Sequence, residues 1–207
     1  MTSSKGAAPS NKSTPVKVAA WVLGLFAGAV PLVAVALVVA FLFTYLTVDV
    51  PSPGDLKQNQ VATIMNSKGG TIAKIVPPEG NRTDVKYEDI PQPMIDAVKA
   101  AEDRDFDSNA GFSTSGFSRA VLGKVFNREG AGGGSTITQQ YVKKAIVGDE
   151  VSYKRKFKEL AIATKMSRQW SKEEIMAAYL NTIYFGRGAY GVDAAAKAYF
   201  NVPLKKL

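Results

Sequence analysis

From Val18 to Val48 the chain carries no charged side chain across 31 consecutive positions. About 20 apolar residues suffice to cross a bilayer as a helix. The apolar region of a cleaved secretory leader is shorter, roughly 7–15 residues. The run is therefore read as a retained single-pass anchor. Pro31 lies inside it, where membrane helices tolerate a kink. Whatever follows must fold as a separate body tethered to a membrane. Residues 1–17 hold Lys5, Lys12 and Lys17 and no acid, which predicts a cytoplasmic N-terminus and an extracellular C-terminal part.

The tether sets the organisation. Residues 1–17 read as a disordered cytoplasmic tail and 18–48 as the transmembrane helix. Residues 49–91 read as a juxtamembrane linker and hairpin: Val50-Pro-Ser-Pro-Gly54 is stiff, and two short strands flank Ser67-Lys-Gly-Gly70 within 60–76. Helical patterns dominate 92–207, so the outer body is expected to be mostly α. Pro93 suits a first helical turn, with Met94, Ala97, Val98 and Ala101 on one face and Glu102 at the end. A second helix is expected over about 116–126, followed by a flexible glycine turn at Gly130–Gly134. Thr136 with Gln139, and Ser171 with Glu174, have the spacing of capping boxes. They predict helices ending at Gly148 and before Asn181, with a further helix over Ser152–Trp170 between them. Val192–Phe200 reads as a last short helix after a turn-rich stretch.

The chain has neither histidine nor cysteine. That excludes disulfides, thiolate metal sites and a cysteine nucleophile, and removes the commonest general base. A carboxylate is the natural acid or base that remains. The net charge is +8, of which +5 belongs to the part from Asp49 on. A basic outer body attracts anionic lipid, nucleic acid or a phosphorylated substrate. The outward topology makes nucleic acid the weakest of these.

Four stretches have chemical potential. Glu102-Asp-Arg-Asp105 sits between Ala100-Ala101 and Phe106. It reads either as a solvated helix end or as a half-buried carboxylate whose pKa is raised by burial. Gly132-Gly-Gly-Ser-Thr-Ile-Thr-Gln-Gln140 is a glycine loop feeding a helix start, an arrangement that binds anions through free N–H groups. It lacks the Gly-Lys-Ser/Thr of a nucleotide loop. Between Arg119 and Lys158 nine cations face three acids, which suits a phosphate or diphosphate, or a face resting on anionic lipid. Arg155-Lys-Phe-Lys-Glu159 places Arg155 and Lys156 on the same helical face as Glu159. That is a surface ion pair, or a second carboxylate held by two cations.

Taken in order, Glu102–Phe106, Gly134–Gln140, Arg155–Glu159, Lys172–Asn181 and Gly186–Gly191 resemble the five motifs of the peptidoglycan glycosyltransferases, glycosyltransferase family 51. These domains occur in class A penicillin-binding proteins and in single-domain forms. The resemblance implies a lysozyme-like, two-lobed α-helical fold. It implies a reaction that joins lipid II units into glycan strands and releases undecaprenyl diphosphate. By resemblance Glu102 is the general base, and Glu159 supports the donor diphosphate directly or through a divalent cation, Mg or Mn. Arg119, Ser135, Thr136, Gln139, Gln140, Lys143, Arg155 and Lys156 line the donor side by the same carry-over, while Asn181 and Gly186–Gly191 hold structural or cleft-wall positions. The partners implied are lipid II, the growing glycan, membrane lipid, and wall-synthesis or division proteins. The location implied is a bacterial cell membrane.

Two departures accompany the resemblance. The family's histidine three residues after the motif phenylalanine is Asn109 here, which keeps a hydrogen-bonding role and has no proton role. The domain at 92–207 is expected to be C-terminally incomplete, the N-terminal portion of a longer protein. The competing readings are a lysozyme-like hydrolase, an inactive truncated fragment, and a membrane-anchored wall-synthesis scaffold. The cation-rich loop disfavours the hydrolase, because glycan cleavage has no diphosphate to hold.

Overall fold

A computed structural model describes residues 14–53, 55, 62–75, 82–116, 118 and 134–207. These divide into two compact units, residues 1–46 and 47–207.

The described residues of the first unit form one helix, α1 (Thr14–Thr47), with Pro31 inside it. Its segment Ala27–Thr47, 21 residues of mean hydropathy 2.5, is long and apolar enough to cross a membrane. Its described apolar side chains, Leu32, Val35 and Leu46 among them, are largely exposed. Among the described side chains of α1 no face is set aside for a protein core, as expected of a helix whose solvent is lipid.

In the second unit, β1 (Ala62–Met65) and β2 (Thr71–Ile75) form an antiparallel hairpin, Ala62 opposite Ile75 and Ile64 opposite Ala73. Asn66 shapes the connection: its Oδ1 accepts from the N–H groups of Lys68 and Gly70. That is the local side-chain turn for which asparagine is suited. After a 3-10 turn at Tyr87–Asp89 comes α2 (Gln92–Glu102), with Pro93 in its first turn. The buried face of α2 is Ile95 and Val98, with Met94 half-buried; Ala97 and Ala101 are exposed, contrary to the sequence expectation. The larger Ile95 gains more from burial than two methyl groups do, so it sets the rotation of the helix.

α3 (Ile137–Val142) opens at Thr136 with the expected capping box: Thr136 Oγ1 accepts from Gln139 N–H while Gln139 Oε1 accepts from Thr136 N–H. It continues as a π-helical turn over Lys143–Val147 that ends at Gly148. α4 (Tyr153–Gln169) is capped by Ser152, and α5 (Lys172–Thr182) by the second capping box, Ser171 with Glu174. α6 (Val192–Phe200) follows a turn held by a bridge between Tyr184 and Tyr190, and a 3-10 turn over Leu204–Lys206 comes last. The described secondary structure is mostly helical, as expected. The helix anticipated over 116–126 and the glycine turn at 130–134 lie largely outside the described residues.

α3 is the centre of this unit. It has six residues, and all but Gln140 are buried. α4 and α5 pack on either side of it, and Ile137 and Val142 join Phe106, Ile162, Met166, Ile175, Met176 and Leu180 in one core. A helix this short is not stable alone. Its burial, not its propensity, fixes it, and the one side chain left facing out is therefore well placed.

Candidate active site

An open cleft of about 500 Å³ is lined by Ala100–Asp105 at the end of α2, by Ser113, Ser115 and Gly116, and by Gly134–Thr136 at the start of α3. Glu102, the last residue of α2, is exposed here. Of the two readings of this run, a solvated helix end or a half-buried carboxylate, Glu102 fits the first: Ala100 and Ala101 are exposed as well. α2 is turned so that the core takes Val98 and then Asp103.

Asp103 is the buried member of the charge cluster. As C-cap of α2 it leaves helical geometry, with φ −159° and ψ 84°. Both of its oxygens accept from Asn109 Nδ2, at 3.1 and 2.9 Å. Its Oδ2 also accepts from the backbone N–H of Ile137 at the start of α3. Burial pushes the Asp103 carboxyl above its ordinary pKa; the hydrogen bonds from Ile137 and Asn109 and the charge of Lys172 pull the other way. Lys172 Nζ donates to the carbonyls of Phe106 and Asn109 and lies 4.7 Å from the Phe106 ring centre. Burial pushes the Lys172 ammonium down. Asn109 Oδ1 accepts from Gly111 N–H, so this side chain holds the whole 103–111 turn.

Glu102 is tied across the cleft edge to α3. Gln140 Nε2 donates to Glu102 Oε2 at 2.9 Å, and Tyr179 Oη on α5 donates to Gln140 Oε1 at 3.1 Å. On the other wall, Ser135 Oγ accepts from Lys156 Nζ at 2.8 Å. Lys156 also pairs with Glu159, as does Arg155 Nη1, so the two cations take both Glu159 oxygens. Glu159 is 1% exposed. Arg155 Nε is buried and has no hydrogen-bond partner among the described residues.

The sequence-predicted residues thus fall into groups. Glu102, Ser135 and Thr136 line the cleft, Gln140 reaches it through Glu102, and Lys156 reaches it through Ser135. Arg155 and Glu159 lie behind Lys156. Gln139 is buried and occupied in the capping box. Lys143 pairs instead with Asp149, 3.1 Å away, across the π-helical turn. Arg119 lies outside the described residues. Among the described residues no three acidic side chains converge to hold a metal. With both oxygens of Glu159 engaged by cations, this carboxylate does not fit a divalent ion. Asn181, on the far side of α5, donates to Val85 carbonyl and accepts from Val85 N–H, a structural clamp. Asp103, Lys172 and Tyr179 fall inside stretches quoted from the sequence but were given no role there; the 172–181 motif was the signal that could have found the last two.

Comparison with known proteins identifies the family. The transglycosylase family matches residues 68–207. The chain is 56% identical over 191 residues to penicillin-binding protein 1A of Mycolicibacterium smegmatis, covering 90% of this chain and 24% of that protein. It is 58% identical over 173 residues to penicillin-binding protein 1A of Mycobacterium tuberculosis, covering 82% and 21%. Penicillin-binding protein 4 of Bacillus subtilis is 37% identical over 153 residues, 74% of this chain and 24% of that one. The chain therefore spans about a quarter of the length of these relatives. With the family match running over residues 68–207 and these relatives more than half identical over most of the chain, this protein belongs to the transglycosylase family.

Proposed function

We propose that the chain is the membrane-anchored glycan-polymerising part of a class A penicillin-binding protein, acting on lipid II. Residues 1–17 are the cytoplasmic tail, 18–48 the single span, 49–91 the juxtamembrane segment and 92–207 the glycosyltransferase domain, which faces outward on a bacterial cell membrane. Glu102 accepts the proton of the acceptor sugar's 4-hydroxyl as that oxygen bonds to the donor C1. The C1–O bond to diphosphate breaks, and undecaprenyl diphosphate leaves with the electron pair. A sugar hydroxyl is a poor nucleophile, so a base at this point is required. The leaving diphosphate gains negative charge, which Lys156, exposed beside the cleft-lining Ser135, stabilises in this reading.

The single observation that carries this reading is the pairing of walls. One holds an exposed carboxylate oriented by Gln140, and the other holds a hydroxyl and a cation whose own partner, Glu159, is buried. A hydrolase of lysozyme type needs a second free carboxylate across the sugar. Glu159 does not offer one, since both of its oxygens are taken by cations. The test is polymerisation of lipid II by the protein in detergent beside its Glu102→Gln variant. Glycan strands from the parent alone support the reading, and equal strands from both reject Glu102 as the base.

A further inference from the structure

We infer that Tyr179 is a positioning residue for glycosyl transfer, acting through Gln140 on Glu102. The inference rests on the general-base reading of Glu102.

The argument starts from the amide. A primary amide can present either its oxygen or its NH₂ to a neighbour, and an ionised carboxylate only accepts. Gln140 therefore serves Glu102 only with Nε2 turned to it, as observed at 2.9 Å. That leaves Oε1 on the opposite side, where Tyr179 Oη lies at 3.1 Å. A hydroxyl there that donates fixes the amide in the useful sense. Flipped, the amide would set oxygen against carboxylate at one end, a contact with no proton to share, while at the other the hydroxyl would have to turn from donor to acceptor.

Tyr179 is suited to this task. It is 2% exposed and belongs to the core, so its ring cannot swing away. Burial, with the Glu102 charge adding to it, pushes the hydroxyl pKa up, so the group keeps its proton at neutral pH. Its helix is fixed from behind. Asn181, two residues on, is clamped to Val85, and Arg82 Nε donates to the Asn181 carbonyl at 2.6 Å. Gln140 is likewise the one residue of α3 that the core does not bury. Two rigid elements thus meet at one amide, and the amide orients an otherwise exposed glutamate. Tyr179 is not among the described residues that line the cleft, and it meets Glu102 through Gln140.

The experiment compares Y179F, Q140A and Y179F/Q140A with the parent in lipid II polymerisation by the membrane protein in detergent, with E102Q alongside. Y179F is expected to lower kcat roughly 5- to 10-fold, the worth of one neutral hydrogen bond, with KM unchanged. Q140A is expected to lower kcat by at least as much, and Y179F to add nothing in the Q140A background. A purely structural tyrosine would give additive losses, and additivity overturns the inference. If Y179F folds poorly, 4-aminophenylalanine and 4-methylphenylalanine at position 179 make the same comparison with the site filled. The amine donor is expected to restore kcat and the methyl is not; equal rates for the two overturn the inference. Retained activity in E102Q removes the general base and the inference with it. An inactive E102Q beside a Y179F with parental kcat rejects only the role of Tyr179.

Discussion

Asp103 Oδ2 and the backbone N–H of Ile137 are 3.1 Å apart, joining the end of α2 to the start of α3 across 34 residues of sequence. This buried bond sets the distance between the helix that carries Glu102 and the helix that carries Gln140. It also has a pH signature. The folded-state pKa of Asp103 is raised by burial, so between the ordinary carboxylate value and the raised one the folded protein binds more protons than the unfolded chain. Its contribution is fully present below the ordinary value and is lost as pH rises through the raised one. In D103N that contribution disappears. Denaturant unfolding of parent and variant from pH 3.5 upward should show the parent's stability falling relative to the variant's across this window. A difference that does not change with pH would reject the assignment.

Thr136 is a second joint of the same kind, with a larger structural cost when removed. Its hydroxyl accepts from Gln139 N–H as the cap of α3, and it donates to the Gly111 carbonyl at 2.9 Å. Loss of a cap costs about 1 kcal/mol, and a buried carbonyl left without its donor about 1–3 kcal/mol more. T136A is therefore expected to be destabilised by about 2–4 kcal/mol, read from the denaturant midpoint. T136S, which keeps the hydroxyl, should recover most of it.

Much of this architecture was legible in the sequence, because much of it is local. Both capping boxes are decided by residues three apart, and they appear where Thr136 and Ser171 predict them. The pairing of Arg155 and Lys156 with Glu159 follows from one helical turn, although its burial does not. What was not legible depends on the rotation and contact of distant pieces. Glu102 and Asp103 look alike as neighbours in a charged run, yet one is exposed and the other buried, because the turn after α2 swings Asp103 inward. Gln140 meets Glu102 and Tyr179 only in three dimensions. Lys143 counts in sequence as one more cation of a basic strip, and the π-helical turn carries it to Asp149 instead. Asn109 is the instructive intermediate case. Its chemistry predicted hydrogen bonds without proton transfer, and the structure supplies their partners, Asp103 and Gly111.

Gly111 is the position in this turn where no other residue fits. Its φ is +86°, and a Cβ there would lie 2.3 Å from the Ala163 carbonyl oxygen on α4. Positive φ costs a side-chain-bearing residue about 1 kcal/mol or more, and the clash is with backbone that cannot yield. G111A is expected to be among the most damaging single substitutions, beyond about 4 kcal/mol, and to reduce folded protein sharply. Yield and thermal melting of the variant check this. A melting temperature near the parent's would mean that α4 moves aside.

Glu159 holds two cations of unequal exposure. It is 1% exposed, while Arg155 and Lys156 are 14% and 45% exposed at the side chain. Removing the carboxylate leaves a nearly buried guanidinium without its counter-charge, and breaking such a pair costs about 3–5 kcal/mol when both partners are buried. Lys156 is half in water and can rehydrate, so the expected loss in E159Q is toward the lower end, about 3 kcal/mol. Lys156 also loses the partner that holds it beside Ser135, so polymerisation should fall by more than the loss of folded protein accounts for. K156M makes the complementary change: it removes the charge that reaches the cleft wall and leaves Glu159 paired to Arg155. It should cost less stability than E159Q, because Arg155 still neutralises Glu159, and still lose activity. If K156M keeps full activity, the wall that Ser135 and Lys156 form does not serve the diphosphate. If E159Q melts as the parent does, the pair contributes nothing to the fold.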